Sequence, residues 1–235
     1  MLKTVFRTAA LSAGLVCSGA FAAGAVAQPL DEVAAGQGVS ENVIDIAGWV
    51  LATDNNRGLP FAVVDKNAAQ ILIFDAEGKL KGLAPALLGS AAGDGSAPGV
   101  GDRELKDIPA ADRTTPAGRF LAGYGPATGG KTVLWVDYET AISIHPLPQK
   151  SPKQEKRKER LASATAEDNR VTHGCINVST AFYNKVVKST FGKQGGVFYV
   201  LPDSMAMEYA FPGFEAQVQL VSSAEEPTTV SLLGP

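Results

Sequence analysis

Arg170 to Val178 reads RVTHGCINV, and these nine residues decide how the chain is to be understood. The protein has 235 residues but two cysteines and two histidines. His173 and Cys175 fall in this stretch, and the other histidine, His145, lies 30 positions before the cysteine. A cysteine attacks as its thiolate, so it needs a base or a positive field to lose its proton near neutral pH. His145 and His173 are the imidazoles that could serve. Gly174 allows a sharp turn and lets backbone N–H groups converge where an oxyanion would form. Ser179-Thr180 can cap a helix just downstream, and helix N-termini favour negative charge. Two plainer readings compete. The cysteine could be packed as a small hydrophobe. Or His145, His173 and Cys175 could hold zinc, although a fourth ligand and a metal-type spacing are both missing.

The first thirty residues, MLKTVFRTAALSAGLVCSGAFAAGAVAQPL, have the pattern of a secretory signal. Lys3 and Arg7 precede an apolar run from Ala9 to Val26, and Ala25-Val26-Ala27 supplies the small-x-small pattern of a cleavage site. Cleavage is expected before Gln28, leaving no stable membrane insertion and a protein of the periplasm or cell wall. Cys17 departs with the signal, so Cys175 becomes the sole thiol and no internal disulfide can form. In an oxidising compartment a lone cysteine is a hazard unless its reactivity is used. Removing two basic residues from 21 basic and 24 acidic leaves a net charge of −5. That balance argues against a nucleic-acid partner.

Beyond the signal (1–27), residues 28–58 read as a flexible lead and a helix from Glu41 to Thr53, with Val43, Ile46, Ala47, Val50 and Leu51 on one face. Phe61–Asp65 and Gln70–Phe74 flank a short turn and suggest a hairpin, with Leu80–Leu88 as a third strand. Gly89 to Asp112 is rich in Gly, Ala and Asp without periodicity, the mark of a long loop. Strand patterns resume at Arg119–Tyr124, Val133–Asp137, Ala141–Ile144 and Gly196–Leu201. Phe182, Tyr183, Val186 and Val187 give the helix after Ser179 an apolar face, and Gly192 a stop. From Ser204 the chain is expected to turn irregular and fray. The pattern is mainly β with two or three helices, a domain over 59–203 and a tail over 204–235.

Thr172-His173-Gly174-Cys175-Ile176-Asn177, with a histidine upstream, resembles the signature of the L,D-transpeptidases, the YkuD-type catalytic domain. The opening hairpin and Thr114-Thr115-Pro116-Ala117-Gly118-Arg119-Phe120, similar to the family's Thr-Pro-x-Gly-x-Phe turn, extend the likeness to about residues 60–201. The resemblance implies a β-sandwich with the cysteine on an edge loop. It implies that Cys175 attacks the third-residue carbonyl of a peptidoglycan stem tetrapeptide. D-Alanine would leave, and the resulting thioester would pass to an amine of a second stem. His145 would be the base, oriented by a backbone carbonyl. Gly174 and Cys175 would offer oxyanion-hole amides, with His173 and Asn177 shaping the loop. Thr172, Asn177 and Arg170 become candidates for substrate contact, Arg170 through a carboxylate. No cofactor and no metal are implied, and a monomer is expected. An L,D-carboxypeptidase or amide hydrolase using water, or a non-catalytic wall-binding domain, are the alternatives.

One departure stands out. The family's histidine usually lies 15 to 20 residues before the cysteine, not 30. The extra length falls in Pro146–Arg170, where Lys150, Lys153, Lys156, Arg157, Lys158, Arg160 and Arg170 outnumber four acidic residues to give +3. Pro148–Ala166 is either a solvated insertion or a lid that meets an anionic polymer. As a lid it would act on polymer capture, and Lys156, Arg157, Lys158 and Arg160 would leave Cys175 and His145 untouched.

Overall fold

The computed structural model describes residues 38–127, 129–150 and 152–214. The signal-like segment, its cleavage point and the expected tail beyond residue 214 lie outside them. In chain order the elements are α1 (Glu41–Ala52), β1 (Phe61–Asp65), β2 (Gln70–Phe74), β3 (Leu80–Pro85), β4 (Leu88–Gly89), β5 (Gly118–Ala127), β6 (Lys131–Asp137), β7 (Ile142–Pro146), α2 (Arg157–Ala162), β8 (Arg170–Thr172), β9 (Ile176–Val178), α3 (Thr180–Phe182), α4 (Lys188–Phe191), β10 (Gly196–Val200) and α5 (Met207–Ala210). A π-helical turn, Tyr183–Val187, joins α3 to α4.

Eight strands hydrogen-bond in the order β3-β2-β1-β10-β5-β6-β7-β9, and β4 pairs with β8 in a second, small sheet. Strand β5 is long because it serves two partners. Gly118–Ala122 pairs with β10, and Gly123–Ala127 pairs with β6. The halves on either side of it share one core: Val64, Ile71 and Ile73 from the first half bury with Leu134, Ile144 and Ile176 from the second. The result is a mainly β, sandwich-like fold with a few helices, as the strand pattern and the resemblance lead one to expect.

Strand β1 is buried along its whole length. Ala62 and Val64 face the shared core, while Phe61 and Val63 face a second cluster with Val43, Ile46 and Val50 of α1. Successive strand side chains point to opposite faces, so a strand covered on both reads as an unbroken apolar run. At roughly 25 cal/mol per Å² of apolar surface removed from water, such doubly covered strands carry much of the folding free energy.

Three local expectations change. Leu80–Leu88 is not one strand: β3 stops at Pro85, whose ring leaves no N–H for the ladder, and Leu88–Gly89 crosses to pair with β8. The helix cap at Ser179 is real, its hydroxyl accepting from Phe182 N at 3.1 Å. However, β9 intervenes between Cys175 and that helix, so the helix N-terminus does not adjoin the thiol. Ser204–Phe214, expected to be irregular, contains α5 and buries Phe211 and Phe214 beside Trp49.

Candidate active site

Parallel pairing of β7 with β9 builds the site. Its register sets Ile144 beside Ile176 and His145 beside Asn177. The two isoleucines turn into the core, so strand alternation sends Ser143, His145 and Asn177 to the opposite face. Parallel neighbours must be joined by a crossover of a dozen or more residues. The long stretch from histidine to cysteine is that crossover, so a spacing of 30 leaves the pairing of His145 with Asn177 intact. Cys175 lies in the tight loop between β8 and β9, and β9 is the last strand of the eight-stranded order.

Gly174 is there of necessity. Its φ is +127°, and an added Cβ would lie 2.7 Å from Thr114 O and 2.6 Å from Ile142 Cδ1. Thr115 Oγ1 donates to Gly174 O at 2.7 Å and accepts from Gly89 N at 2.9 Å, so the Thr-Thr-Pro turn buttresses the cysteine loop. Thr172 Oγ1 donates to Cys175 O at 2.7 Å and accepts from Gly174 N at 3.1 Å. The Gly174 amide is therefore engaged within the loop, and an oxyanion would have to take it from Thr172. Thr172 is 2 % exposed, so its hydroxyl holds the loop from within.

His145 sits between two fixed partners. Its Nδ1 donates to Pro146 O at 2.9 Å, and its Nε2 faces Asn177 Nδ2 at 3.1 Å. Cys175 Sγ is 3.6 Å from Ser143 Oγ and 3.7 Å from Ala141 O, and it is half-buried. Burial opposes charge on both the His145 and the Cys175 side chain. Even so, the Cys175 partnership and the Pro146 carbonyl raise the His145 pKa, and Arg157 works against that rise. For Cys175, burial pushes the thiol up, but His145 and then Ser143 bring it below its ordinary value. His173 is lowered by burial first, then by the charges of Arg113 and Arg157. Nothing comparable favours a proton on His173.

A pocket opens on Cys175 and His173, and its far wall is the long loop, with Val100, Leu105 and Ile108. Three 3₁₀ turns, Val100–Asp102, Leu105–Asp107 and Ala110–Asp112, shape that loop. It is fastened from below by Lys66, which is fully buried. The ammonium donates to Gly93 O at 2.7 Å, Asp94 Oδ1 at 2.8 Å and Thr115 O at 3.1 Å. Arg170, a candidate for a substrate carboxylate, is instead bonded to both carboxylate oxygens of Asp203 and to Lys66 O. Burial opposes the Asp203 charge, but Arg170, the Gly93 amide and Lys66 hold its pKa down.

The crossover is neither a free insertion nor a uniform basic lid. Leu161 of α2 is buried, and Arg160 donates to Glu155 O at 2.8 Å and to Asp168 O. Arg157 Nε donates to Glu155 Oε2 at 2.7 Å, and its Nη1 donates to Asn177 Oδ1 at 2.6 Å. Lys156 and Lys158 remain exposed. The expectation that all four would leave the site untouched fails at Arg157, because folding lays α2 against β9. Ser143 is missed by the sequence reading, although it stands two residues before His145 on the same strand face, and the contacts of Thr115 and Arg157 are missed although the turn and the basic stretch that hold them are visible.

Among the described residues no group of three or more His, Cys, Asp or Glu side chains gathers as a metal site, and no helix is long and apolar enough to cross a membrane. No family model and no curated protein sequence matches the chain. Solved structures that resemble it include an L,D-transpeptidase from Mycobacterium smegmatis, at 18 % identity over 60 % of this chain and 58 % of that one, with a TM-score of 0.36. The helical cell shape determining protein Pgp2 from Campylobacter jejuni is 14 % identical over 63 % and 49 % of the two chains, TM-score 0.41. The catalytic domain of the Enterococcus faecium L,D-transpeptidase is 21 % identical over 60 % and 95 %, TM-score 0.31. The chain spans less than two thirds of the length of the first two.

Proposed function

We propose that the protein is an exported cysteine L,D-transpeptidase acting on peptidoglycan stem tetrapeptides. The observation that carries the reading is the strand pair: β7 and β9 set His145 beside Asn177, at the foot of a Thr-His-Gly-Cys loop whose glycine leaves no room for a Cβ unless its neighbours shift. In the first half-reaction Cys175 Sγ bonds to the carbonyl carbon of the third stem residue, and His145 Nε2, released from its hydrogen bond with Asn177 Nδ2, takes the thiol proton. The C–N bond to D-alanine then breaks, and the same proton leaves with the departing amine. In the second half-reaction an acceptor amine attacks the thioester, the C–S bond breaks, and the thiol regains a proton. Ser143 supports the sulfur while it carries charge, and Pro146 O keeps the ring in the tautomer that leaves Nε2 to accept.

The test is incubation with purified stem tetrapeptide, with and without an acceptor amine, followed by mass spectrometry. Expected are a thioester on Cys175 with loss of D-alanine, and a cross-linked product when the amine is added. Release of free tripeptide alone would make the protein a hydrolase on the same chemistry. A Cys175→Ala protein that still released D-alanine would overturn the reading.

A further inference from the structure

The hydrogen bonds around His145 all run in one direction. Arg157 Nη1 donates to Asn177 Oδ1, Asn177 Nδ2 to His145 Nε2, and His145 Nδ1 to Pro146 O. Each link fixes the next. A guanidinium has donors and no acceptor, so the amide oxygen must face Arg157 and the amide NH₂ must face the ring. A ring whose Nδ1 donates and whose Nε2 accepts is a neutral imidazole. An imidazolium in the same place would set its Nε2–H against the Asn177 NH₂. Relieving that clash by turning the amide would set the NH₂ against the guanidinium. Asn177 is 0 % exposed, so no water can stand in for either partner at low cost.

We propose that Arg157 is a positioning residue which, through Asn177, holds His145 neutral at rest, with its Nε2 lone pair occupied by the Asn177 NH₂. The inference rests on the reading of Cys175 as nucleophile and His145 as its base, and adds a control from the crossover. Arg157 is well placed for it: its side chain is 13 % exposed, and Glu155 grips Nε while Nη1 reaches Asn177. The charged groups that bear on the ring are Cys175 from the β8–β9 loop and Arg157 from α2. Behind them, Glu155 tempers the Arg157 charge, and His173 answers to Arg113, Arg157 and Glu155. Cys175 and His145 drift together toward a thiolate–imidazolium pair, and Arg157 is the counterweight. A thiol kept protonated at rest is less exposed to oxidation, which matters most for a lone cysteine outside the cytosol.

The experiment is the rate of Cys175 alkylation by iodoacetamide as a function of pH, which reads thiolate directly. It needs no wall peptide, so its outcome is separate from whether a stem tetrapeptide is the substrate. Arg157→Gln should move the alkylation midpoint down by about one pH unit, the size expected when a neighbouring charge is removed. Arg157→Lys, which keeps the charge and a donor, should stay near the wild-type profile. Glu155→Gln leaves the arginine charge untempered and should move the midpoint up. A folded Arg157→Gln protein with an unchanged or raised midpoint overturns the proposal. Should that variant fail to fold, an unmoved Glu155→Gln midpoint overturns it equally.

Discussion

The two long connections that flank Cys175 are fastened to the domain in opposite ways. The loop between β4 and β5 is tied from beneath by an ammonium at 0 % exposure, with two carboxylates beside it. The crossover between β7 and β9 is tied at its rim by Arg157, which reaches Asn177 of β9, with Leu161 as its buried anchor, while Arg160 bonds within the crossover itself. The first connection walls the pocket with apolar side chains. The second sends the Arg157 guanidinium to Asn177, beside His145. A chain segment without periodicity can thus be tied at both ends by one buried charge whose hydrogen bonds are all met. A segment dense in charge can remain mostly solvated and still reach the site through one residue.

The largest effect should come from the β7–β9 strand pair that carries His145. His145→Ala should lower the acylation rate by roughly 10²–10⁴, the usual contribution of a general base. If His173→Ala is the more damaging at that step with folding preserved, the loop side rather than the strand side supplies the base. Stopped-flow release of D-alanine would distinguish them.

Next comes the loop's fastening. Lys66→Met strands Asp94 and Asp203 without their buried partner and should destabilise the protein by about 3–5 kcal/mol, measured by urea unfolding. Asp94 and Asp203 both titrate below the ordinary carboxylate range in the folded protein. For Asp94, burial is offset by Lys66 and by backbone amides of Asp203, Met205 and Ser204. Their contribution is therefore complete above about pH 4, the unfolded value, and is lost as pH falls through the lower folded values. Unfolding midpoints compared at about pH 6 and about pH 3 should show that loss. An acid-insensitive protein would mean that the loop is held by something other than this cluster.

The smallest effect should come from the exposed face of the crossover. Lys156→Gln with Lys158→Gln should change stability by no more than about 0.5 kcal/mol. It should leave iodoacetamide alkylation unchanged and slow the processing of anionic wall polymer only at low salt, since screening sets in over about 8–10 Å at physiological ionic strength. Equal loss with polymer and with iodoacetamide would mean that these lysines, like Arg157, bear on the site itself.

Elements long enough to show their period are legible in the amino-acid sequence. The 12-residue helix α1 and the five-residue strands β1 and β2 fall where the apolar pattern places them. Strands β8 and β9 have three residues each, too few for alternation to be visible. They hold the signature, and with β9 invisible the pattern sets a helix terminus against the thiol. Gly174 can be read from residue type, because a left-handed or crowded backbone position excludes side chains whatever lies around it. The chemical character of Cys175 and the two candidate imidazoles are likewise written in the chain, since ionisation begins with residue identity. Which partners those groups meet is decided only by folding. Ser143 near the sulfur, Thr115 under the glycine, Arg170 spent on Asp203 and Arg157 on Asn177 are long-range contacts. Their sequence separations of 20 to 59 residues leave no periodic trace, because the register of β7 on β9 and the docking of α2, not local propensity, bring them together.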